Sequence, residues 1–284
     1  MPESVGLIET LALEPIEVNL FRGESHEKDF PRIFGGTVIA QALLAAYKTV
    51  EDRVCHSLHA YFLRPGDPSI PILYEVDRSR DGHSFTTRRV VAIQHGQQIF
   101  NLAASFQIEE AGFDHEQAMS EAPAPDLVAD ERETIKAVLK DLPPRLARAF
   151  SRERPIEMRS VNPQSRSAPK VMPPESAAWV RARVPIGPEI ALQQAVLAYA
   201  SDLGLLETSM RPHGVSWQTP GLQSASLDHA IWFHRRSDFS DWHLYSQDSP
   251  SASGARGFVR GAMHDRAGRL VASIAQEGLI RFRE

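Results

Sequence analysis

The feature that most constrains the fold is a faint internal repeat, because a chain that carries one scaffold twice must build two similar halves. Three pairs of segments match in the same order: 40–49 with 194–202, 59–64 with 229–235, and 80–107 with 252–279. In the longest pair a shift of 172 residues places Arg88 on Arg260. In the motifs HAYFLR and HAIWFHR the first histidines, His59 and His229, are matched. The sequence therefore predicts an apolar helix followed by several strands, twice.

Some polar residues occur in only one of the two copies. Asp202 falls on Thr49, and Gln276 falls on Ala104. A copied scaffold preserves what folding needs, so a polar group found in one copy alone is a candidate for a functional role.

Composition sets broad bounds on function. The 284 residues are enough for one large or two small domains, and 42% hydrophobic with 24% charged residues is ordinary for a globular protein. The net charge of −5 argues against a general nucleic-acid binder, although a local basic patch could still hold a small anion. The single cysteine, Cys55, allows no internal disulfide and fits a reducing compartment. With no apolar run of membrane-spanning length and no secretory leader, we expect a cytoplasmic protein that does not bind membranes.

The first half reads as one buried helix and a set of strands. The helix opens at Phe34-Gly35-Gly36 and runs to about residue 50; it is apolar almost all round, which is typical of an enclosed helix. An incoming strand is predicted over 16–22. Further strands follow at 56–63, 71–78, 84–95 and 97–107, the last two joined by a turn at Gly96.

A proline-rich connector separates the halves. Residues 109–175 contain nine prolines and many charges, and only one outer helix, over 130–150, is predicted there. The second half then offers a strand at 179–184, a second apolar helix at 189–206, and strands at 224–235, 242–248, 255–264 and 270–281. We expect three parts: an N-terminal repeat at 1–110, the connector at 111–175 and a C-terminal repeat at 176–284.

These elements predict an α+β fold of the double hotdog type. An antiparallel sheet with one apolar face needs cover, and an apolar helix needs to be enclosed, so each half wraps its sheet round its helix. Two such sheets can pair edge to edge, which removes exposed strand edges.

Several common active-site motifs are missing. The sequence has no G-x-S-x-G elbow, no phosphate-binding loop, no dinucleotide fingerprint and no H-E-x-x-H. The eleven histidines do not cluster with carboxylates or cysteine at metal-ligand spacing. No metal and no cofactor is predicted.

Three polar side chains in apolar surroundings are candidates for catalysis. Asp202 lies inside the apolar helix predicted over 189–206, where a carboxylate must be paired, protonated or working, and Gly204 could mark the end of that helix. Gln276 lies in a largely apolar strand, and Ser226 precedes the strand that begins at Leu227. Each has a structural alternative: a capping or ion-paired aspartate, an amide tied to a backbone, a strand-edge serine. Together a carboxylate, a hydroxyl and an amide can hold one water, the carboxylate taking its proton.

Binding candidates are fewer and less specific. Arg235, Arg256 and Arg260 belong to a basic concentration in the second repeat that could meet phosphates, or could be solvated arginines at strand ends. Gly35 and Gly36 could present backbone N–H groups to a carbonyl oxygen at a helix start, or could form a tight entry to a buried helix.

Taken together, the motifs resemble those of the type II acyl-CoA thioesterases. The resemblance covers about 5–283, is weakest over 127–175, and rests on seven ordered motifs: FGGTVIAQAL, HSLHAYFLRPGDP, RDGHSFTTRRV, YASDLGLL, SLDHAIWFHR, SGARGFVRG and VASIAQEGLIR. It implies a double hotdog hydrolase that cleaves acyl-CoA to a carboxylic acid and CoA and associates into dimers or larger homo-oligomers.

The resemblance also assigns roles to residues. The family's catalytic aspartate falls on Asp202 in ASDL, its glutamine on Gln276 in AQEG, and its hydroxyl, often a threonine, on Ser226. In the family these groups orient and activate a water. Two other functions stay open: a hotdog-type enoyl-CoA hydratase, although Asp228-His229 lacks the D-x-N-P-x-H setting, and a non-catalytic acyl-CoA-binding protein. The length and type of the acyl chain do not follow from the sequence.

Overall fold

The fold of the computed structural model is dominated by a single antiparallel sheet. The structure describes residues 6–25, 30–139, 147, 151 and 154–283. Within these residues thirteen strands join in the order β1-β2-β4-β5-β6-β3-β10-β13-β12-β11-β8-β7, with β9 also paired to β13. The two predicted half-sheets, joined edge to edge, are thereby confirmed.

Each half of the sheet holds one copy of the repeat. The strands of the first half are β1 (Leu13–Glu17), β2 (Leu20–Gly23), β3 (Val54–Phe62), β4 (Ile72–Asp81), β5 (Phe85–Gln94) and β6 (Gln97–Gln107). Those of the second are β7 (Ile156–Ser160), β8 (Glu175–Ala182), β9 (Leu222–Ser226), β10 (Asp228–Phe233), β11 (His243–Ser253), β12 (Arg256–Asp265) and β13 (Leu270–Phe282). The single strand predicted at 16–22 is two short ones, because Asn19 turns the chain with a positive φ of 62°.

Two long helices pack against the sheet and against each other. The helices are α1 (Leu7–Leu11), α2 (Gly35–Tyr47), α3 (Glu131–Val138) and α4 (Ile190–Ser201). Ten of the thirteen residues of α2 are buried, as its apolar sequence predicts. It packs against β4, β5, β6 and α4. A 3-10 helix, Leu206–His213, follows α4 and covers β11, β12 and β13.

The two halves meet where β3 pairs with β10. His59 lies opposite Ala230, Leu58 opposite Ile231, and Ala60 opposite His229. The pairing of β3 with β6 and of β10 with β13 shows which residues of the two halves are equivalent. Ala60 on β3 faces Leu102, and Ile231 on β10 faces Ile274, the residue that a shift of 172 places on Leu102. Ala60 and Ile231 are therefore counterparts, and the approximate two-fold axis of the repeat passes through the His59–Ala230 pair.

This register corrects two details of the sequence comparison. The counterpart of His59 is Ala230, so matching it with His229 is wrong by one residue, and His229 stands where the first half has Leu58. Likewise Arg88 pairs with Ala104 on β6 whereas Val259 pairs with Gln276 on β13, so Val259, not Arg260, is the counterpart of Arg88. The β11–β12 turn is one residue shorter than the β4–β5 turn, which accounts for the slip.

The connector is more ordered than its composition indicates. It contains β7, which the sequence analysis did not predict and which pairs with β8 at the sheet edge. The predicted helix over 130–150 begins as α3, capped by the Asp130 carboxylate, and most of its second half lies outside the described residues. The segment before α3 is hydrogen-bonded to the second half-sheet, since Nε1 of Trp179 on β8 donates to the backbone oxygen of Pro123 at 2.8 Å.

Candidate active site

A large cavity opens where the second half-sheet, α4 and the start of α2 come together. Its volume is about 890 Å³. Gly35 from α2, Ser226 from β9 and Gln276 from β13 line it, together with Asp202, the residue that follows α4. Four residues singled out from the sequence therefore share one wall, although up to 241 positions separate them along the chain.

Asp202 sits between two helix ends. It caps the C-terminus of α4, which ends at Ser201 and not at 206 as predicted, and Gly204 follows with a left-handed φ of 71°. The N-terminus of α2 faces it, and the backbone N–H of Gly36 donates to its carboxylate. The first N–H groups of a helix lack partners within the helix, so this end of α2 stabilises the negative charge.

The glycines at the start of α2 are there because of close approach. A Cβ atom at position 35 would lie 2.6 Å from Asp202 Oδ2 and 2.9 Å from Phe62 Cζ. One at position 36 would lie 2.4 Å from the backbone oxygen of Tyr199. A side chain at position 35 would displace the side chains of Asp202 and Phe62, and one at position 36 would force α2 away from the backbone of α4. The glycines thus bring the helix start onto the carboxylate.

The side chains of Gln276, Ser226 and Asp202 form a chain of hydrogen bonds. Gln276 Nε2 donates to Ser226 Oγ at 2.8 Å, and Ser226 Oγ donates to Asp202 Oδ1 at 3.4 Å. The Gln276 amide also donates to Asp202. The carboxylate therefore receives donors from three elements: β9, β13 and α2.

Burial dominates the electrostatics of Asp202. Its surroundings penalise the ionised form and raise the pKa of the carboxyl group from 3.8 to about 7. The donors from Gly36, Ser226 and Gln276, and the more distant charge of Arg32, act in the opposite direction and lower the pKa. A carboxylate with a pKa near neutrality can accept a proton and release it again under physiological conditions.

Behind Gln276 lies a histidine that the sequence analysis did not single out as a site residue. His229 Nδ1 lies 2.6 Å from Gln276 Oε1, and its Nε2 lies 2.8 Å from Ser201 Oγ. Tyr245 donates to the backbone oxygen of Ser201 at 2.8 Å. His229 and Gln276 are each 1% exposed. The role of His229 was missed because the repeat comparison matched it with His59. Its alternation with Ile231 and Phe233 indicates that all three side chains lie on the buried face of β10.

The first half has no such arrangement at the equivalent place. There Ala104 replaces Gln276, Leu58 replaces His229, and the side chain of Arg88 extends toward the end of α2. Its guanidinium, 2% exposed, donates to Thr49 Oγ1 at 2.8 Å and pairs with Asp81 at 2.6 Å. In the first half, the side chain of Arg88 thus occupies the region that corresponds to the candidate active site of the second half.

The three arginines predicted to bind phosphate lie elsewhere. Arg235, Arg256 and Arg260 do not line the cavity. Arg235 pairs with Asp114 and with Glu116 at 3.0 Å, Arg256 pairs with Glu277 at 2.9 Å, and Arg260 pairs with Asp248 at 2.5 Å. Four other arginines, Arg32, Arg64, Arg154 and Arg166, line the cavity, and the first two are exposed.

No other constellation of reactive groups competes with this one in the described part of the chain. No cluster of three or more His, Cys, Asp or Glu side chains suitable for a metal ion occurs among those residues. Cys55 is 1% exposed, and burial raises the pKa of its thiol, so its nucleophilic thiolate is disfavoured. The described helices include none long and apolar enough to cross a membrane.

Comparison with known proteins assigns the chain to a family. A family profile described as acyl-CoA thioesterase matches residues 146–279, and one described as the acyl-CoA thioesterase N-terminal domain matches 26–107. Over 279 residues, 98% of each chain, the sequence is 41% identical to acyl-CoA thioesterase 2 of Haemophilus influenzae. The chain belongs to the acyl-CoA thioesterase family. The resemblance to type II thioesterases and the prediction of a thioester hydrolase are confirmed.

Solved structures agree with this family and fold. The thioesterase superposes on an acyl-CoA thioesterase II from Mycobacterium marinum with a TM-score of 0.79 and 38% identity, covering 97% of this chain and 98% of the other. A hotdog-fold protein from Alicyclobacillus acidocaldarius, 17% identical, matches with a TM-score of 0.77 over 97% and 98% of the two chains, which concerns the fold alone. The double hotdog prediction is confirmed.

Proposed function

We propose that this thioesterase hydrolyses acyl-CoA by direct attack of a water held by Asp202, Ser226 and Gln276. The observation that carries the proposal is their convergence on the wall of a cavity of about 890 Å³, with the pKa of Asp202 raised to about 7. A cavity of this size suits a substrate with a long apolar part and a polar end.

The reaction needs one base and one set of donors. Asp202 takes a proton from the water, whose oxygen bonds to the thioester carbon. The carbon–sulfur bond then breaks, and the proton held by Asp202 passes to the CoA thiolate, giving a carboxylic acid and CoA. Ser226 and Gln276 fix the water beside the carboxylate. The helix start at Gly35 faces the cavity and is suited to the carbonyl oxygen as negative charge develops there.

For the charged end of CoA the geometry favours Arg32 and Arg64 over the arginines first predicted. Both line the cavity, and neither has a carboxylate partner among the described residues. Arg235, Arg256 and Arg260 are each already paired with carboxylates. Fixed, unpaired guanidinium groups bind phosphate more readily than ones that must first leave a partner.

The second candidate, a non-catalytic acyl-CoA-binding protein, shares the cavity but has no use for Asp202. A buried carboxylate lowers the stability of the folded protein, and carboxylates with strongly raised pKa values are typical of functional sites. The deciding experiment follows free CoA with a thiol reagent while acyl-CoA substrates of increasing chain length are supplied. Turnover that disappears in Asp202→Asn supports the hydrolase; binding of acyl-CoA without release of CoA supports the alternative.

Direct attack by water also excludes a covalent intermediate. The described cavity wall offers no serine paired with a histidine, since Ser226 contacts Asp202 and Gln276, and Cys55 does not line the cavity. Mass spectrometry after rapid quenching should find unmodified protein during turnover. An acyl group trapped on any side chain would overturn the water mechanism while leaving the hydrolase activity intact. A homodimer or larger homo-oligomer, a cytoplasmic location and the three-part division of the chain remain our predictions.

A further inference from the structure

His229 is a buried titratable group for which the proposed reaction has no direct use. It is 1% exposed, lies behind Gln276 as seen from the cavity, and does not line that cavity. The first half carries Leu58 at the same place in the sheet, so the fold itself does not require an imidazole there. A polar residue at this position therefore needs another explanation.

The imidazole is in contact on both sides. Its Nδ1 lies 2.6 Å from Gln276 Oε1, and its Nε2 lies 2.8 Å from Ser201 Oγ. Burial lowers the pKa of His229 to about 4, so the ring is neutral near pH 7 and carries one N–H. One nitrogen then donates and the other accepts.

The position of that single proton is coupled to the direction of the Gln276 amide. With the proton on Nδ1, the ring donates to Oε1, and the amide NH₂ is directed at Ser226 Oγ, 2.8 Å away, and at Asp202. With the proton on Nε2, the amide must turn over, and its oxygen would face the carboxylate. An ionised Asp202 has only lone pairs to offer, so it is compatible with the first arrangement and repelled by the second.

We propose that His229 is a positioning residue that holds the Gln276 amide with its NH₂ toward Ser226 and Asp202. It does so as the Nδ1–H tautomer, with the Ser201 hydroxyl directing its one proton to Nε2 and not to the backbone oxygen of Ala198, which also lies 2.8 Å from Ser201 Oγ. The hydrogen bonds then run in one direction, from Ser201 through His229, Gln276 and Ser226 to Asp202. This inference rests on the proposed water mechanism and adds the group that orients its amide.

The kinetic test compares three variants. His229→Leu introduces the residue that the first half already accommodates, removes the donor, and should lower kcat about 10- to 100-fold with KM changed by less than about threefold, as for other supporting partners of functional groups. His229→Asn places an amide N–H near the position of Nδ1 and should recover several-fold of that loss. The control Leu58→Ala weakens the equivalent place in the first half and should lower the melting temperature without lowering kcat.

A measurement independent of activity addresses the tautomer. Nitrogen NMR of protein labelled with ¹⁵N-histidine distinguishes the protonated from the unprotonated ring nitrogen, and His229→Leu identifies the signal. We expect a neutral ring at pH 7, with the proton on Nδ1 and none on Nε2. An Nε2–H tautomer would overturn the proposal, as would a kcat in His229→Leu within about twofold of wild type.

The outcomes separate this inference from the proposed function. If Asp202→Asn abolishes turnover while His229→Leu leaves it intact, the water mechanism stands and the positioning role is wrong. If Asp202→Asn keeps its activity, the water mechanism fails whatever His229 does. If His229→Leu and His229→Asn lose activity equally, the N–H donor is not the feature that matters, and the proposal is again overturned.

Discussion

Val259 occupies in the second half of the sheet the place that Arg88 occupies in the first. Arg88 faces Ala104 and extends its guanidinium to Thr49, whereas Val259 faces Gln276 and is fully buried among apolar groups. The same backbone position thus carries a buried, hydrogen-bonded arginine in the first half and leaves room for the Gln276 amide in the second.

Arg88 should matter for stability and not for catalysis. Arg88→Val introduces the second half's residue but removes the hydrogen bonds to Thr49 and the exposed Asp81, leaving the buried acceptors of Thr49 without a donor. We expect a loss of about 1–3 kcal/mol in the free energy of unfolding, with kcat/KM nearly unchanged. Denaturant titration and steady-state kinetics measure the two. A fall in kcat with unchanged stability would contradict the assignment.

Asp202 should be essential for turnover. Asp202→Asn keeps the shape and removes the proton acceptor, so kcat should fall on the order of 10²–10⁴-fold with an intact fold. Circular dichroism and thermal melting control for folding. Activity within about threefold of wild type would remove Asp202 from the mechanism.

The pKa of Asp202 predicts how activity depends on pH. The ionised carboxylate is the active form, so kcat/KM should rise with pH through a step near 7. Stability should move in the opposite direction. The pKa of Asp202 is raised from 3.8 to about 7 in the folded protein, so folding favours the protonated carboxyl group. The free energy of unfolding should therefore fall as pH rises from about 4 to about 7, by at most about 4 kcal/mol, and change no further at higher pH.

The stability half of this prediction has its own control. Asp202→Asn has no charge to bury, so it should melt at a higher temperature than wild type at pH 8, and the difference should shrink toward pH 4. Melting curves across this range show whether it does. A difference that stays constant with pH would mean that Asp202 does not titrate in this window.

Ser226 and Gln276 should act as one unit. Each alanine variant should lower kcat, and the double variant should lose less than the product of the two, because both hold the same water. Alanine is tolerated at the position of Gln276, since the first half has Ala104 there. Ser226→Thr keeps the hydroxyl and should retain most activity. Fully multiplicative losses would place the two residues in separate functions.

Binding of the CoA phosphates should depend on the arginines at the cavity. Arg32→Ala and Arg64→Ala should raise KM more than they lower kcat, and the effect should shrink at high salt, where exposed charges are screened. Arg256→Ala and Arg260→Ala are matched controls on the same protein, since both side chains are paired with carboxylates away from the cavity. If the controls raise KM and the cavity variants do not, the original assignment of phosphate binding to the second repeat is the better one.

Much of the fold could be predicted from the sequence because burial leaves a periodic trace. The apolar run from Ile39 to Ala46 predicts an enclosed helix, and the segments 84–95 and 97–107 on either side of Gly96 predict the two strands of a hairpin. Asp202 and Gln276 stood out for the same reason: polar groups in such runs break the pattern.

The rest could not be predicted because side-chain direction changes with a single residue of register. Matching His59 to His229 by identity concealed that His229 replaces Leu58 on the buried face. Ion pairs are harder still, since nothing local reports them. Arg235 meets Asp114 from 121 positions away, and only the folded chain shows that this arginine is already occupied.

The β3–β10 pairing at the two-fold axis has a consequence for how such a protein can change over time. In an assembly of two identical chains every substitution occurs twice. A residue that helps folding at one position must therefore also be tolerated at the symmetry-related position. Here the two places belong to one chain and mutate independently. Arg88 and Thr49 could therefore be selected for rigidity while Gln276 and Asp202 were selected for chemistry, a freedom that a symmetric dimer of single repeats does not have.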